Sequence, residues 1–240
     1  MTFLKSVKAQ TPKQVLALAD VSVGTARWAT AQVKAGFGEK PQFGIFPGYN
    51  HRAEPSYFDD TSFADEWQLE VYQFAADLMA RENLKSVADV GCGSGFKLVK
   101  YLGQYETTGY DVPETVAFLK GKYPERQWQS VPFSTRGLPK VDLVVSSDVI
   151  EHVPNPDELL AFIQGLESRY VIISTPDRDC LYRPGSRHHF GPPPNPTHLR
   201  EWSFDELASY VGETFDIIEH KVTNRAQGTQ MIFARNKAKA

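Results

Sequence analysis

Hydrophobic and polar residues along the chain predict strands and helices in alternation. Short apolar or β-branched runs, typical of buried strands, occur near residues 86–90, 106–111, 127–131, 141–147 and 169–174. The segments FKLVKYLGQ, PETVAFLKGKY and PDELLAFIQGLE lie between several of these runs and have the apolar spacing of helices. This alternation is typical of a mainly parallel sheet with helices on both faces.

The two ends of the chain depart from this alternation. FDIIEHKVTN and TQMIFARN are strand-like and only RAQG separates them, which is too short for a helical crossover, so we expect an antiparallel pair. Residues 62–82 have helical spacing. Residues 1–61 contain a short amphipathic stretch and then many glycines and aromatics, so we predict an N-terminal cap at 1–61 and one main domain at 62–240.

The stretch VADVGCGSG predicts a strand, a glycine-rich turn and the start of a helix. Gly91, Gly93 and Gly95 would allow the backbone to turn tightly and to approach a ligand closely. The first N–H groups of the helix would point to the same place. Dinucleotide-binding folds have the spacing G-x-G-x-x-G, so the spacing G-x-G-x-G argues against an NAD(P)-dependent oxidoreductase.

Two acidic residues accompany the glycine turn. Asp89 places a negative charge near the helix start, which favours a ligand with a cationic part over a pyrophosphate. Asp111 ends the next strand, TTGYDV, where a carboxylate can accept hydrogen bonds from both hydroxyls of a ribose. The alternative is a strand–helix turn that binds no ligand.

A second polar group follows the fourth predicted strand, in SSDVIEHV. Asp148, Glu151 and His152 are spaced i, i+3 and i+4, so on one helical turn their side chains would share a face. They could bind a divalent ion, His152 alone could act as a general base, or the residues could cap a helix and hydrogen bond to the backbone.

A long loop follows the fifth predicted strand and contains DCLYRPGSRHHFGPPPNPT. A loop of this length in a compact domain is usually functional or disordered, and we expect it to lie over an acceptor site. Its basic residues either meet a phosphate or carboxylate of the substrate or form a solvated surface; they are Arg178, Arg183, Arg187, His188 and His189.

Composition narrows the class of protein. The chain has 240 residues and a net charge of −3, which gives no reason to expect a nucleic-acid partner. Two cysteines are too few for a disulfide framework. No signal peptide or run of 18 apolar residues is present, so we expect a soluble cytoplasmic protein without a membrane partner. The aromatic N-terminal region is a candidate homodimer interface.

VADVGCGSG followed by GYDV resembles motifs I and II of class I S-adenosylmethionine (SAM)-dependent methyltransferases. VDLVVSSDVIEHV and YVIISTPDR resemble their fourth and fifth strands. The resemblance implies an α/β, Rossmann-like sheet of seven strands, mostly parallel with an antiparallel C-terminal strand. It implies that Asp89, Gly91 and Gly93 line the methionine end of SAM, that Asp111 holds the ribose and that Val112 lies against the adenine. The residues that it assigns to cofactor binding are Asp89, Gly91, Cys92, Gly93, Gly95, Asp111, Val112 and Ser147.

Two metal-using groups of these enzymes have a similar acid-x-x-Glu-His motif: ubiquinone-biosynthesis O-methyltransferases and the enzymes that methylate the 3′-terminal 2′-hydroxyl of small RNAs. The second group also has a later histidine followed by Glu-Trp, as in HLREWS. The resemblance implies that Asp148, Glu151, His152 and His198 bind magnesium, manganese, zinc, cobalt or nickel. The first three are also the candidate catalytic residues.

We therefore expect O-methylation of a small molecule or saccharide. The loop HHFGPPPNPTHLREWS is also similar to that of methyltransferases found with sugar-modifying enzymes. The alternatives are 2′-O-methylation of an RNA 3′ end, a metal-free enzyme with His152 as general base, and a SAM-binding regulatory module without turnover.

Overall fold

The computed structural model describes residues 12–38, 40–56, 61, 67–183 and 185–237, with helical side chains from residue 19 onward. Its helices are α1 (Pro12–Gly36), α2 (Leu69–Arg81), α3 (Phe96–Leu102), α4 (Pro113–Lys122), α5 (Pro156–Gly165), α6 (Arg178–Leu181) and α7 (Phe204–Thr214), with a 3-10 helix at Arg187–Phe190. Its strands are β1 (Ser86–Val90), β2 (Glu106–Tyr110), β3 (Gln127–Gln129), β4 (Leu143–Ser147), β5 (Tyr170–Pro176), β6 (Phe215–Asn224) and β7 (Thr229–Asn236). Within these residues, no helix has the length and apolar character that a bilayer crossing needs.

The seven strands form one sheet in the order β3-β2-β1-β4-β5-β7-β6. Strands β1 to β5 pair in parallel, while β7 is antiparallel to both β5 and β6. The predicted Rossmann-like fold and its antiparallel C-terminal strand are confirmed. The strand order reverses between β1 and β4, and ligands of such sheets bind beyond the carboxyl ends of the strands at this reversal.

Both faces of the sheet are buried, as parallel sheets require. Side chains of β4 alternate between the two hydrophobic clusters: Val144 belongs to the cluster that contains α5 and α7 residues, and Leu143 and Val145 to the one beneath α2, α3 and α4. The helix α7 begins in a capping box in which Ser203 and Glu206 satisfy each other's backbone N–H groups. The core therefore holds the carboxyl ends of β1, β4 and β5 in fixed positions.

The helix α2 is shorter than predicted. We expected a helix over residues 62–82, but α2 begins at Leu69 because Gln68 adopts a left-handed backbone with φ 64°. Residues 62–66, and the predicted cap aromatics Tyr57 and Phe58, lie outside the described part of the chain.

The N-terminal part of the chain lies against the long loop after β5. The helix α1 extends well beyond the short amphipathic stretch in the sequence and packs on the 3-10 helix. Further along, the Arg52 N–H donates to the Leu199 carbonyl oxygen at 2.8 Å, and Arg52 Nε donates to the His198 carbonyl oxygen at 3.1 Å. The segment around Arg52 therefore holds the backbone of a predicted site residue.

Candidate active site

One cleft of about 1220 Å³ lies at the carboxyl ends of the parallel strands. The glycine turn and the residues after β2 form one part of its wall, including Gly91 and Asp111. The turn after β4 and the long loop form another part, including His152 and His198. Members of both groups that the sequence singled out therefore share a single cavity, although Asp89, Gly93 and Gly95 are not among its lining residues.

The glycine turn depends on backbone conformations that other residues rarely adopt. Gly91, Gly93 and Gly95 have φ values of 79°, 49° and 67°. A Cβ on Gly91 would lie 2.3 Å from Val149 Cγ2, and a Cβ on Gly95 would lie 2.8 Å from Leu119 Cδ2. Gly91 and Cys92 line the cleft, whereas Gly95 packs against α4.

The two acidic residues near the turn occupy different environments. Asp89 is fully buried at the end of β1, where the Tyr72 hydroxyl donates to its Oδ2 at 2.9 Å. Burial first, and then the charge of Asp89, raise the pKa of Tyr72, so this hydroxyl stays protonated. Tyr72 lines the cleft, and Asp89 fixes the orientation of its hydroxyl.

The carboxylate of Asp111 is fixed by the backbone. Gly93 N–H donates to its Oδ2 and Val112 N–H to its Oδ1, each at 2.8 Å. Burial raises its pKa, and these two hydrogen bonds oppose that shift. Asp111 and the exposed Val112 both line the cleft, so a carboxylate and an apolar surface lie side by side there.

The predicted helical turn at residues 148–152 does not form. The strand β4 ends at Ser147, Asp148 adopts a left-handed φ of 53°, and the next residues form a turn closed by the His152 N–H and the Val149 oxygen at 2.9 Å. Asp148 is therefore not part of a helical turn with Glu151 and His152, and the prediction that the three side chains share a helical face was wrong.

Asp148 is held by hydrogen bonds from two other parts of the fold. Gln68 Nε2 donates to its Oδ2 and Ser174 Oγ to its Oδ1, each at 3.0 Å. Ser174 Oγ also lies 2.7 Å from Ser147 Oγ. Asp148 lines the cleft, but it lies outside the group in which Glu151 and two histidines converge.

Glu151, His152 and His198 each offer one ligand atom within 4.8 Å of the others. Thr175 Oγ1 donates to Glu151 Oε2 at 2.9 Å, whereas Glu151 Oε1 is buried with no hydrogen-bond partner among the described residues. Burial, and then the charge of Asp148, raise the pKa of Glu151 to about 8. An orphaned buried carboxylate oxygen is unfavourable, and a cation beside it would relieve this cost.

The ring of His152 has a defined hydrogen-bond partner on one side. Its Nδ1 lies 2.9 Å from the carbonyl oxygen of Thr197, which can only accept, so Nδ1 carries the proton. Its Nε2 then bears the lone pair and lies 3.8 Å from Glu151 Oε1. The ring of His198 packs edge-on against it, with 4.8 Å between centroids.

Residues 58–219, more than half of the chain, match the family model described as a methyltransferase domain. The chain belongs to the methyltransferase domain family. Its fold is that of class I SAM-dependent methyltransferases. No curated protein matches this methyltransferase in sequence.

Several solved structures share the fold of this methyltransferase. They include Burkholderia thailandensis 1,6-didemethyltoxoflavin-N1-methyltransferase with its substrate and S-adenosylhomocysteine (21% identity, 72% of this chain and 82% of that one, TM-score 0.53). Magnesium protoporphyrin IX methyltransferase from Synechocystis PCC 6803 with bound S-adenosylhomocysteine is 19% identical over 73% of this chain and 90% of that one, with TM-score 0.52. The methyltransferase domain of bacterial CtHen1-C is 23% identical over 70% of this chain and 98% of that one, with TM-score 0.53.

The long loop lies over the cleft of this methyltransferase, but its arginines point elsewhere. Arg178 is buried and pairs with Glu206 at 2.7 Å. Arg183 and Arg187 lie 3.4 and 3.6 Å from the carboxylate of Asp20 in α1. Among the loop residues that the structure describes, those on the cleft wall include Tyr182, Asn195, Thr197 and His198.

Sequence reasoning missed several residues of the cleft. Tyr72 and Gln68 come from the region before β1 and line the cleft. Thr175, at the end of β5, is buried behind the wall and bonds to Glu151. No local spacing indicates such contacts. Glu201 was missed for a different reason: it was noted only as part of the Glu-Trp pair, although it lies three residues after His198.

Proposed function

We propose that this methyltransferase transfers the methyl group of SAM to a hydroxyl of a small molecule or saccharide. The observation that supports this most strongly is the cluster of Glu151, His152 and His198 in the same cleft as the glycine turn. Donor site and proton acceptor would then line one cavity. That arrangement suits an acceptor group that must lose a proton, such as a hydroxyl.

The cofactor would occupy the part of the cleft near β1 and β2. The fixed carboxylate of Asp111 suits the two ribose hydroxyls, and the exposed side chain of Val112 offers an apolar surface to the adenine. Gly91, Cys92 and Ser147 would line the methionine end, and the absence of a Cβ at Gly91 lets the turn pack against Val149, another residue of the cleft wall.

Bound SAM supplies a methyl group on a positively charged sulfur, which is a good leaving group. The oxygen of the acceptor hydroxyl would form a bond to the methyl carbon as the carbon–sulfur bond breaks, and the electron pair of the carbon–sulfur bond would stay on sulfur. His152 Nε2 accepts the hydroxyl proton. The imidazolium is then stabilised by the Thr197 carbonyl oxygen, which accepts from Nδ1.

The same residues fit a divalent ion. Glu151, His152 and His198 would hold it, and these two imidazoles favour manganese, zinc, cobalt or nickel over magnesium. His198 Nε2 accepts from Asn195 Nδ2 in this structure, so the ion would replace that hydrogen bond. The predicted fourth ligand, Asp148, is engaged with Gln68 and Ser174 in this structure. When bound, such an ion lowers the pKa of a coordinated hydroxyl.

The test is formation of S-adenosylhomocysteine in the presence of neutral saccharides and other small hydroxyl compounds, with chelator or with each metal. His152→Ala should abolish product formation and preserve SAM binding. His220→Ala is the matched control, because His220 lies on β6 and bonds to Gln230 away from the cleft. Unchanged turnover in His152→Ala would exclude His152 as the proton acceptor.

A second candidate function is 2′-O-methylation of an RNA 3′ end, which the convergence of Glu151, His152 and His198 also favours. The cleft wall weighs against it, since Lys97 is the one lysine or arginine among the described lining residues. RNA oligonucleotides with a 3′-terminal 2′-hydroxyl or 2′-deoxy group distinguish the two candidates. Product that depends on that hydroxyl would support the RNA function.

A further inference from the structure

Glu201 is a buried acidic residue beside one histidine of the candidate active site. Its side chain is 1% exposed, and its Oε1 lies 2.6 Å from His198 Nδ1. Its backbone is held on both sides: the Glu201 N–H donates to the Tyr49 hydroxyl oxygen at 3.1 Å, and Arg178 Nη1 donates to the Glu201 carbonyl oxygen at 3.0 Å. The carboxylate is therefore fixed against the imidazole.

The hydrogen bonds of Asn195 show which nitrogen of His198 carries the proton. The Thr197 N–H and hydroxyl both donate to Asn195 Oδ1, at 3.0 and 2.8 Å. The Nδ2 group of Asn195 therefore faces His198 Nε2, at 2.9 Å. Since an amide NH₂ group can only donate, His198 Nε2 must accept, and the ring proton lies on Nδ1, from which it is donated to Glu201.

We propose that Glu201 is a positioning residue that holds His198 in the Nδ1–H tautomer. The lone pair on Nε2, which accepts from Asn195 Nδ2 in this structure, is then the one that a ligand in the cleft would take over. The inference rests on the proposed function, because that lone pair matters only if His198 contacts the acceptor or a divalent ion. A carboxylate on the distal nitrogen fixes the ring orientation and raises the basicity of the ligand nitrogen. His152 has the same orientation but a weaker partner, the Thr197 carbonyl.

Glu201 has no evident role in capping the neighbouring helix. The N-terminus of α7 is capped by Ser203 and Glu206, and Glu206 also pairs with the buried Arg178. The Glu201 carboxylate instead lies at the cleft wall near Tyr182. Burial, and then the charge of Glu201, raise the pKa of Tyr182. Its contacts are those expected of a residue that orients His198.

The first experiment measures the tautomer of His198 in metal-free protein by long-range ¹H–¹⁵N correlation of histidine-labelled samples, with His198→Asn for assignment. The wild-type protein and Asn195→Ala should both show His198 protonated on Nδ1, because Glu201 still accepts from Nδ1 in that variant. Asn195→Ala combined with Glu201→Ala should lose the preference. Protonation of wild-type His198 on Nε2 would overturn the proposal, and this result needs no variant that might fail to fold.

The second experiment measures the affinity for zinc alone by calorimetry. Glu201→Gln should weaken zinc binding by about 10–100-fold, the usual effect of removing a partner of a ligand histidine. Glu213→Gln is the matched control. Glu213 is exposed on α7, the helix that follows Glu201, and its substitution removes the same charge. Unchanged tautomer and zinc affinity in Glu201 variants would refute the role of Glu201. Absence of SAM binding with an intact Nδ1–H tautomer would refute only the proposed function.

Discussion

Replacing Gly91 with alanine tests whether the glycine turn is shaped by steric contact with the turn after β4. Gly91 has φ 79°, and the added Cβ would lie 2.3 Å from Val149 Cγ2 and 3.0 Å from Cγ1. Val149 is half-buried and packs against the main hydrophobic cluster, so its side chain cannot simply swing into solvent.

The expected cost has two parts. An alanine in the left-handed region costs about 1–2 kcal/mol relative to its usual conformations. Forcing a methyl group into the contact with Val149 adds about 1–3 kcal/mol through overpacking. Gly91→Ala should therefore destabilise the fold by about 2–5 kcal/mol and also weaken SAM binding, because both residues line the cleft.

Urea unfolding of four variants separates these two parts of the cost: Gly91→Ala, Val149→Ala, their double variant and Gly137→Ala. Gly137→Ala reports the left-handed cost alone, since Gly137 has φ 71° and nothing lies within 4 Å of its added Cβ. Combining Gly91→Ala with Val149→Ala should recover about 1–3 kcal/mol relative to the sum of the single effects. The steric argument is refuted if Gly91→Ala costs no more than Gly137→Ala, or if the two substitutions are additive.

Three further predictions follow from other contacts. Asp111→Ala should raise the Kd for SAM about 10–100-fold in calorimetry, because hydrogen bonds to a charged group contribute about 1.5–3 kcal/mol; an unchanged Kd would contradict the ribose assignment. Ser203→Ala should lower the free energy of unfolding in urea by about 0.5–2 kcal/mol through loss of the α7 cap, and no loss would show that the cap is dispensable. Burial, and then the charge of Arg200, lower the pKa of His51 from 6.5 to about 4. As the pH is lowered, His51 takes up its proton in the unfolded chain before it does so in the folded protein. The contribution of neutral His51 to the free energy of unfolding is therefore fully present above pH 6.5 and is lost as the pH falls towards 4. His51→Gln should reduce this pH-dependent loss of unfolding free energy by about 1–2 kcal/mol, a value kept small because the ring is partly exposed to solvent. An unaltered pH profile of stability would refute the role of His51.

Much of the fold could be predicted because a strand that is buried on both faces leaves a continuous apolar run in its own stretch of sequence. The run at residues 86–90 coincides with β1, since each residue of a strand buried on both faces must be apolar or specifically paired. The gap RAQG was too short for a crossover, and β6 and β7 do pair antiparallel. The start of α2 was missed because the apolar spacing does not reveal the left-handed backbone at Gln68, whose side chain bonds to Asp148, 80 residues away.

The site was predictable only where its residues are close in the sequence or follow a strand end. Glu151, His152 and His198 do converge, although the helical turn expected to align Asp148 with the first two is absent. The arginines of the long loop could not be placed, because their partners lie in α1 and α7. The orientation of His198 likewise depends on Glu201 and Asn195 together, which spacing alone does not reveal.

The most direct test of the account is a calorimetric titration of SAM into metal-stripped protein, repeated with magnesium, manganese, zinc, cobalt or nickel present. We predict that SAM binds without metal and that Asp111→Ala weakens this binding. We also predict a separate heat for a transition metal, lost in His198→Ala. Absence of SAM binding under every condition would contradict the claim that the glycine turn and Asp111 form the site of the methyl donor.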